Sequence, residues 1–206
     1  MLWCSLFRMT GFSEDPAPFG ARLDKAAFYA WAQARDGGRL ELKDGHIVMH
    51  AGSTNLHALL AGRFVVLLGS RLDLARWAPS SSDFAVEIGD DVRYPDVVVV
   101  PMTEASQHLG TDKPALLIEV LSPSSVERDM HLKLAEYTSL PSLQAYIVAS
   151  QEQPLVWLWQ RDEDTGAFPA QPVEISGMRG EIALAAFGVT LPLSDIYRGL
   201  VGEAAP

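Results

Sequence analysis

Two acids stand in runs that otherwise read as buried strand: Asp96 in "RYPDVVVV" and Glu119 in "ALLIEVLSPSS". An isolated buried carboxylate is costly, and two close together repel unless positive charge lies between them. Consecutive strands tend to be neighbours, so these runs can bring the two acids face to face despite their separation in sequence. A hard divalent cation with oxygen ligands relieves both costs. Mg²⁺ typically takes one or two protein carboxylates and leaves its other positions to water and substrate phosphate. Such an ion polarises a phosphodiester and lowers the pKa of a bound water. Asp129, Lys133 and Tyr137 follow at i, i+4 and i+8, one stripe of a helix entered from Glu119's run through "SPSS". Lys133 could lean over the strand end, orient the attacking water and balance developing negative charge.

Each residue also has a plainer reading. Asp96 after Pro95 suits a turn at a strand start, and Glu119 suits a buried ion pair with a base such as Lys133. Asp129 with Lys133 suits an exposed helix pair worth ~0.3–0.5 kcal/mol. Glu41 lies in an alternating hairpin, where a solvent-facing place would explain it. His57, among Leu56, Leu59 and Leu60, fits a satisfied core-edge histidine better than a ligand. Trp157 and Trp159 share a strand face and could stack on bases, but packing is the commoner use of such a pair. Glu119 is the hardest of these to dismiss, because an acid flanked by Ile118 and Val120 in a central strand rarely lacks a partner.

The elements that must position these groups are legible from periodicity and turn chemistry. "KAAFYAWAQARDGG" predicts an N-terminal helix. "RLELKDGHIVMH" predicts a hairpin turning at Asp44-Gly45. Ser53 or Thr54 can cap a helix through "NLHALLAGRFVVLLGSRL". "SDFAVEI" and "YPDVVVV" predict strands separated by a polar turn, "GDDVR", and "ALLIEVL" predicts a central strand covered on both faces. A helix over "VERDMHLKLAEYTSL" follows, capped by Ser124 or Ser125, then strands at "LQAYIVA" and "PLVWLWQR". Shorter strands at "PVEI", "EIALAAF" and "VTLPL" precede a short helix at "LSDIYRGL". The expectation is a single α/β domain with a central mixed sheet flanked by helices.

With 206 residues, 48% hydrophobic and 20% charged, the chain suits one sizeable domain. We expect residues 1–20 to be an N-terminal tail, with Met9 as an alternative start, 21–200 the domain and 201–206 a C-terminal tail. No segment has the length of a membrane span, nor the basic lead of a signal peptide. A lone cysteine, Cys4, excludes an internal disulfide and a cysteine-based zinc cluster. A cytoplasmic protein is expected. The net charge of −10 lacks the basic surplus of a typical nucleic-acid binder. There is no Gly-rich nucleotide-binding fingerprint and no nucleophile elbow around Ser122.

The ordered set "YPDVVVV…LLIEVLSPSS…D…K…Y" resembles the Uma2-like (DUF820) group, which is described as endonucleases of the PD-(D/E)XK fold. "LELKDGHIVMHAG" with His57 is similar to that group's N-terminal hairpin and helix, and "LPLSDIY" to its C-terminal end. The resemblance implies a restriction-endonuclease-like core, with Asp96 and Glu119 as metal-binding acids for Mg²⁺ or Mn²⁺. It implies Lys133 as the third catalytic residue, and Glu41, Asp83, His57 and Asp129 as auxiliary candidates. Two departures stand out. Leu121 occupies the place where the general motif puts lysine, and Ala149 or Ser150 stands where a late aspartate often occurs.

The reading is a metal-dependent endonuclease acting on DNA. Its acidic charge calls for a homodimer that assembles a basic groove from residues such as Arg63, Arg71, Arg93 and Arg128. Two alternatives stay open: a catalytically degenerate nuclease-fold binding or assembly module, and a hydrolase of small phosphoesters.

Overall fold

Local chemistry sets the first elements. The computed structural model describes residues 22–34, 40–49, 54–105, 107–121 and 127–201. Asp24 caps α1 (Lys25–Gln33), its carboxylate accepting the Ala27 amide at 2.8 Å. Between β1 (Leu40–Lys43) and β2 (His46–Met49), Asp44 and Gly45 sit at φ 50° and 77°, as a type I′ turn requires. Thr54 caps α2 (Asn55–Arg71) by accepting the His57 amide at 3.1 Å; Ser53 lies outside the described residues. Next come β3 (Trp77–Ser81), β4 (Ala85–Ile88), β5 (Asp91–Arg93), β6 (Val97–Pro101), β7 (Gly110–Thr111) and β8 (Leu116–Val120). α3 (Glu127–Thr138) leads to β9 (Ala145–Ala149) and β10 (Leu155–Gln160). The chain then forms β11 (Val173–Ser176), β12 (Glu181–Leu184), β13 (Val189–Pro192) and α4 (Leu193–Tyr197). The cap expected at Ser124 or Ser125 lies outside the described residues.

The strands form a six-stranded mixed sheet, β11-β10-β9-β8-β6-β3, a five-stranded sheet, β2-β1-β5-β4-β7, and the pair β12-β13. Within the larger sheet β8 and β9 are parallel, and α3 makes the crossover such a pair needs. Both faces of that sheet are covered, which is why Val97 to Val100 form an unbroken apolar run. Val97 and Val99 face Leu60, Phe64 and Leu68 of α2. Val98 and Val100 face Tyr137 of α3 and Val86 of the smaller sheet. α1 closes the smaller sheet by packing Phe28 on Leu42 and Val92. No described helix is long and apolar enough to cross a membrane.

The strand expectations need three corrections. "GDDVR" is not a free turn: Gly89, at φ 60°, and Asp90 make the turn, and Asp91–Arg93 pair with β4. Asp91 and Arg93 look turn-like in sequence because their charges are neutralised by distant partners. β3 carries Pro79 and was not expected as a strand; it lies at the sheet edge, paired only with β6, where a missing amide is tolerated. β7, two residues long, gives too little pattern to read.

Candidate metal and catalytic site

Antiparallel pairing of Val97 with Ile118, Val98 with Leu117 and Val99 with Leu116 fixes the register of β6 on β8. Carried one residue further, that register sets Asp96 opposite Glu119. Asp96 continues the ladder with its side chain, Oδ2 accepting the Val120 amide at 2.8 Å. The same oxygen is 3.0 Å from His57 Nε2. His57 reaches it from the first turn of α2, which the Thr54 cap holds in place. Both side chains are buried, Asp96 at 3% exposure and His57 at 5%.

Glu119 is held from α3. Its Oε1 accepts from Lys133 Nζ at 2.8 Å and from the Tyr137 hydroxyl at 2.9 Å. Lys133 and Tyr137, one helical turn apart, converge on this one oxygen, as their spacing predicts. Burial raises the Glu119 pKa above the usual carboxylate range; Lys133 opposes the shift, and the charges of Asp96 and Glu41 add to it. Burial also disfavours the Lys133 ammonium, but Glu119 and Glu41 outweigh it and the net shift is upward. The Tyr137 hydroxyl, pushed well up by burial and then by Glu119 and Glu41, stays a neutral donor. The ion pair of the plainer reading therefore exists, in the place where a catalytic lysine would stand.

Glu41 does not face solvent, contrary to the hairpin reading, and is 2% exposed. Its Oε2 accepts from Arg93 Nη1 at 2.7 Å; its Oε1 accepts the Tyr94 amide at 3.2 Å and lies 3.9 Å from Lys133 Nζ. Arg93 donates through Nε to Glu136 at 3.0 Å, and Lys43 Nζ bridges Glu136 at 2.6 Å and Asp91 at 2.8 Å. One chain of charges thus ties the hairpin and β5 to α3 and through Lys133 to Glu119. Arg93 and Glu136 were missed as site residues. The signal for Arg93 was present: a cation between Val92 and "YP", the counterpart of an acid in an apolar run.

Arg93 is therefore unavailable for the basic groove. Arg63 Nη1 donates to the carbonyls of Ile196 at 2.9 Å and Arg198 at 2.7 Å, and Arg71 donates to Asp195 at 2.5 Å and to the Thr190 carbonyl. These arginines fasten α4 and β13 to α2, and the side chain of Arg128 lies outside the described residues. Three of the four arginines expected to line the groove are therefore engaged within the fold, and the homodimer is not supported. Asp83 is exposed in the turn before β4, where its charge helps to raise the Tyr94 hydroxyl. Asp129 is on α3 as expected, but its side chain is outside the described residues. Ser150, where a late aspartate was looked for, is buried, and its carbonyl accepts from the Tyr197 hydroxyl.

Charge and ligand number bear on a metal ion. Asp91, Glu136, Glu41, Glu119 and Asp96 form one network with Lys43, Arg93, Lys133 and His57. Among the described residues no three His, Cys, Asp or Glu side chains gather as a ready ligand set. Asp96 and Glu119 are the two carboxylates here that could share an ion with water and substrate oxygens.

Residues 26–194 match the family model for Uma2, described as "Putative restriction endonuclease". The chain is similar to Uncharacterized protein slr1290 of Synechocystis sp., with 29% identity over 188 residues, covering 89% of this chain and 95% of that one. Uncharacterized protein sll1609 of the same organism is 28% identical over 131 residues, 61% of this chain and 74% of that one. In three dimensions the chain resembles the crystal structure of "a putative nuclease belonging to DUF820" from Anabaena variabilis. The TM-score is 0.65 at 13% identity, covering 77% of this chain and 89% of that one, a likeness of fold.

Proposed function

The chain belongs to the Uma2 family, and from that premise we propose that it is a Mg²⁺- or Mn²⁺-dependent endonuclease that hydrolyses phosphodiester bonds in DNA. The observation that carries this reading is the pairing of Asp96 and Glu119 across β6 and β8 with Lys133 Nζ at 2.8 Å from Glu119. Asp96 and Glu119 would hold the cation, which when bound polarises the phosphodiester and lowers the pKa of a bound water.

The remaining steps belong to the chain's own residues. His57 and the Val120 amide hold Asp96 by Oδ2, and Tyr137 holds Glu119 by Oε1, so the two carboxylates are oriented before substrate arrives. Lys133 has three ammonium protons, and those not engaged by Glu119 can meet the phosphoryl oxygens as negative charge develops. Glu41, whose carboxylate is 3.9 Å from Lys133 Nζ and is itself held by Arg93, favours the Lys133 ammonium by its charge and acts as a positioning acid. Asp83, exposed in the turn before β4, and Asp129, on α3, stay auxiliary acids in this proposal.

A second reading, a degenerate nuclease-fold binding or assembly module, is favoured by one observation. Glu119 already has a cation in Lys133, while Leu121 fills the general motif's lysine position. Plasmid cleavage separates the two. With Mn²⁺ or Mg²⁺ we expect supercoiled DNA to be nicked by the wild type, and by neither Asp96→Ala nor Glu119→Ala, nor with EDTA. Lys133→Ala should retain metal binding and lose rate by ~10²-fold or more. A wild type that neither cleaves nor gains melting temperature with Mn²⁺ would replace this reading with the module.

A further inference from the structure

The row of the sheet that carries Glu119 continues past it. Glu119 is in register with Val148 of β9, and Val148 with Trp157 of β10. Residues in register on adjacent strands share a face, and Leu121, Val148 and Trp157 pack in one cluster with Tyr137. At about 4.8 Å per strand, Trp157 stands about 10 Å from Glu119 along this row.

The two tryptophans of β10 have different fates. Trp159 is 2% exposed and stacks on Tyr146 with ring centroids 5.7 Å apart. Trp157 is half-buried and lines a cavity of about 290 Å³ with Leu121, Leu155 and residues 150–153. The lining offers an indole, two leucines, a hydroxyl, two amides and the carboxylate of Glu152, with no cation among the described residues. A phosphate finds no partner there. A nucleobase does: the indole and leucines take its flat face, and polar groups at the rim meet its hydrogen-bonding edge. Gln151 is committed, its Oε1 accepting from Thr54 at 2.6 Å and its Nε2 donating to the Leu121 carbonyl. That leaves the exposed Glu152 and Gln153 for the edge. The volume lies at the lower end for ligand pockets, ~300–1,000 Å³, and suits a single base.

We propose that the Trp157 pocket binds one unpaired nucleobase next to the phosphate held at Asp96 and Glu119, directing the site to single-stranded or locally opened nucleic acid. A base within a duplex has both faces stacked and cannot use the indole. The proposal rests on the nuclease reading for the position of the phosphate, but base binding can be measured without cleavage.

The test titrates a single-stranded oligonucleotide carrying 2-aminopurine, in EDTA so that it is not cleaved, into the protein with native Trp157, Trp157→Leu or Trp157→Phe. Leucine preserves apolar packing on Leu121 and Val148 while removing the stacking ring. Stacking should quench the probe with native Trp157 and with phenylalanine, and affinity should fall about 5- to 100-fold with leucine. Gln153→Ala, at an exposed position, should weaken binding less and keep the quench. Equal affinity and quench in Trp157→Leu, or no binding by any form, overturns the pocket. Wild-type cleavage of plasmid alongside that result would leave the nuclease reading standing. Trp157-dependent quenching without cleavage would sink the nuclease reading and keep the base site.

Discussion

The two oxygens of Glu119 differ in their surroundings, and most of the site's behaviour follows from that. Oε1 takes both Lys133 and Tyr137, which fixes the side chain in orientation without engaging Oε2 in either bond. Tyr137→Phe removes a bond to a charged group and should cost about 1.5–3 kcal/mol in denaturant unfolding, with the aromatic packing on Tyr146 kept. A cost near zero would show that Glu119 does not depend on the hydroxyl. Asp96 is secured in the same way, by His57 and the Val120 amide on Oδ2. His57→Phe fills a similar volume without the donor. If Asp96 is a ligand, the substitution should weaken Mn²⁺ about 10- to 100-fold, read by calorimetry or by loss of the Mn²⁺-induced rise in melting temperature. Unchanged Mn²⁺ affinity would return His57 to the role of a core-edge histidine, the plainer of its two readings.

At the scale of elements, the charge chain from Asp91 through Lys43, Glu136 and Arg93 to Glu41 joins the smaller sheet to α3. Asp91 and Glu136 raise the Lys43 pKa above its usual 10.5, against a smaller opposing effect of burial. A lysine with a raised folded pKa contributes stability that is complete below 10.5 and is lost as pH climbs through the folded value. Lys43→Met should therefore cost about 1 kcal/mol near neutral pH, and the gap from wild type should close above 10.5. A gap that stayed constant across that range would mean Lys43 acts by packing alone. The same network explains what the sequence concealed. Asp96 and Glu119 were legible because each breaks an apolar run, and Lys133 because helical spacing aims it at Glu119. Glu41 was a candidate by resemblance alone, and its burial was not legible, because its partner Arg93 is 52 positions away and an alternating hairpin can place either face inward. β5 was read as a turn for the same reason: its charged residues are satisfied across the fold. The cores of β6, β8, β9 and β10, the Asp44-Gly45 turn and the Thr54 cap were readable because each rests on neighbours within a few residues.

At the scale of the molecule, the question is how a chain of net charge −10 meets a polyanion. The arginines that looked available hold the C-terminal elements: Arg63 on the carbonyls of Ile196 and Arg198, Arg71 on Asp195 and the Thr190 carbonyl. Such guanidiniums are structural pins, and their removal should be felt by the fold rather than by nucleic acid. Arg71→Ala should cost about 1 kcal/mol, the scale of a part-exposed charge with hydrogen bonds. Its effect on DNA can be read from the slope of log affinity against log salt, measured by anisotropy in the presence of a divalent ion. A phosphate contact contributes about 0.9 to that slope, so a structural arginine leaves it unchanged while a groove arginine lowers it by about that amount. We expect no change for Arg63→Ala and Arg71→Ala. A shallow slope in the wild type would follow from the same charge distribution. At a net charge of −10, the bound metal and base contacts such as the Trp157 pocket would supply the affinity that a basic surface supplies in other nucleic-acid enzymes.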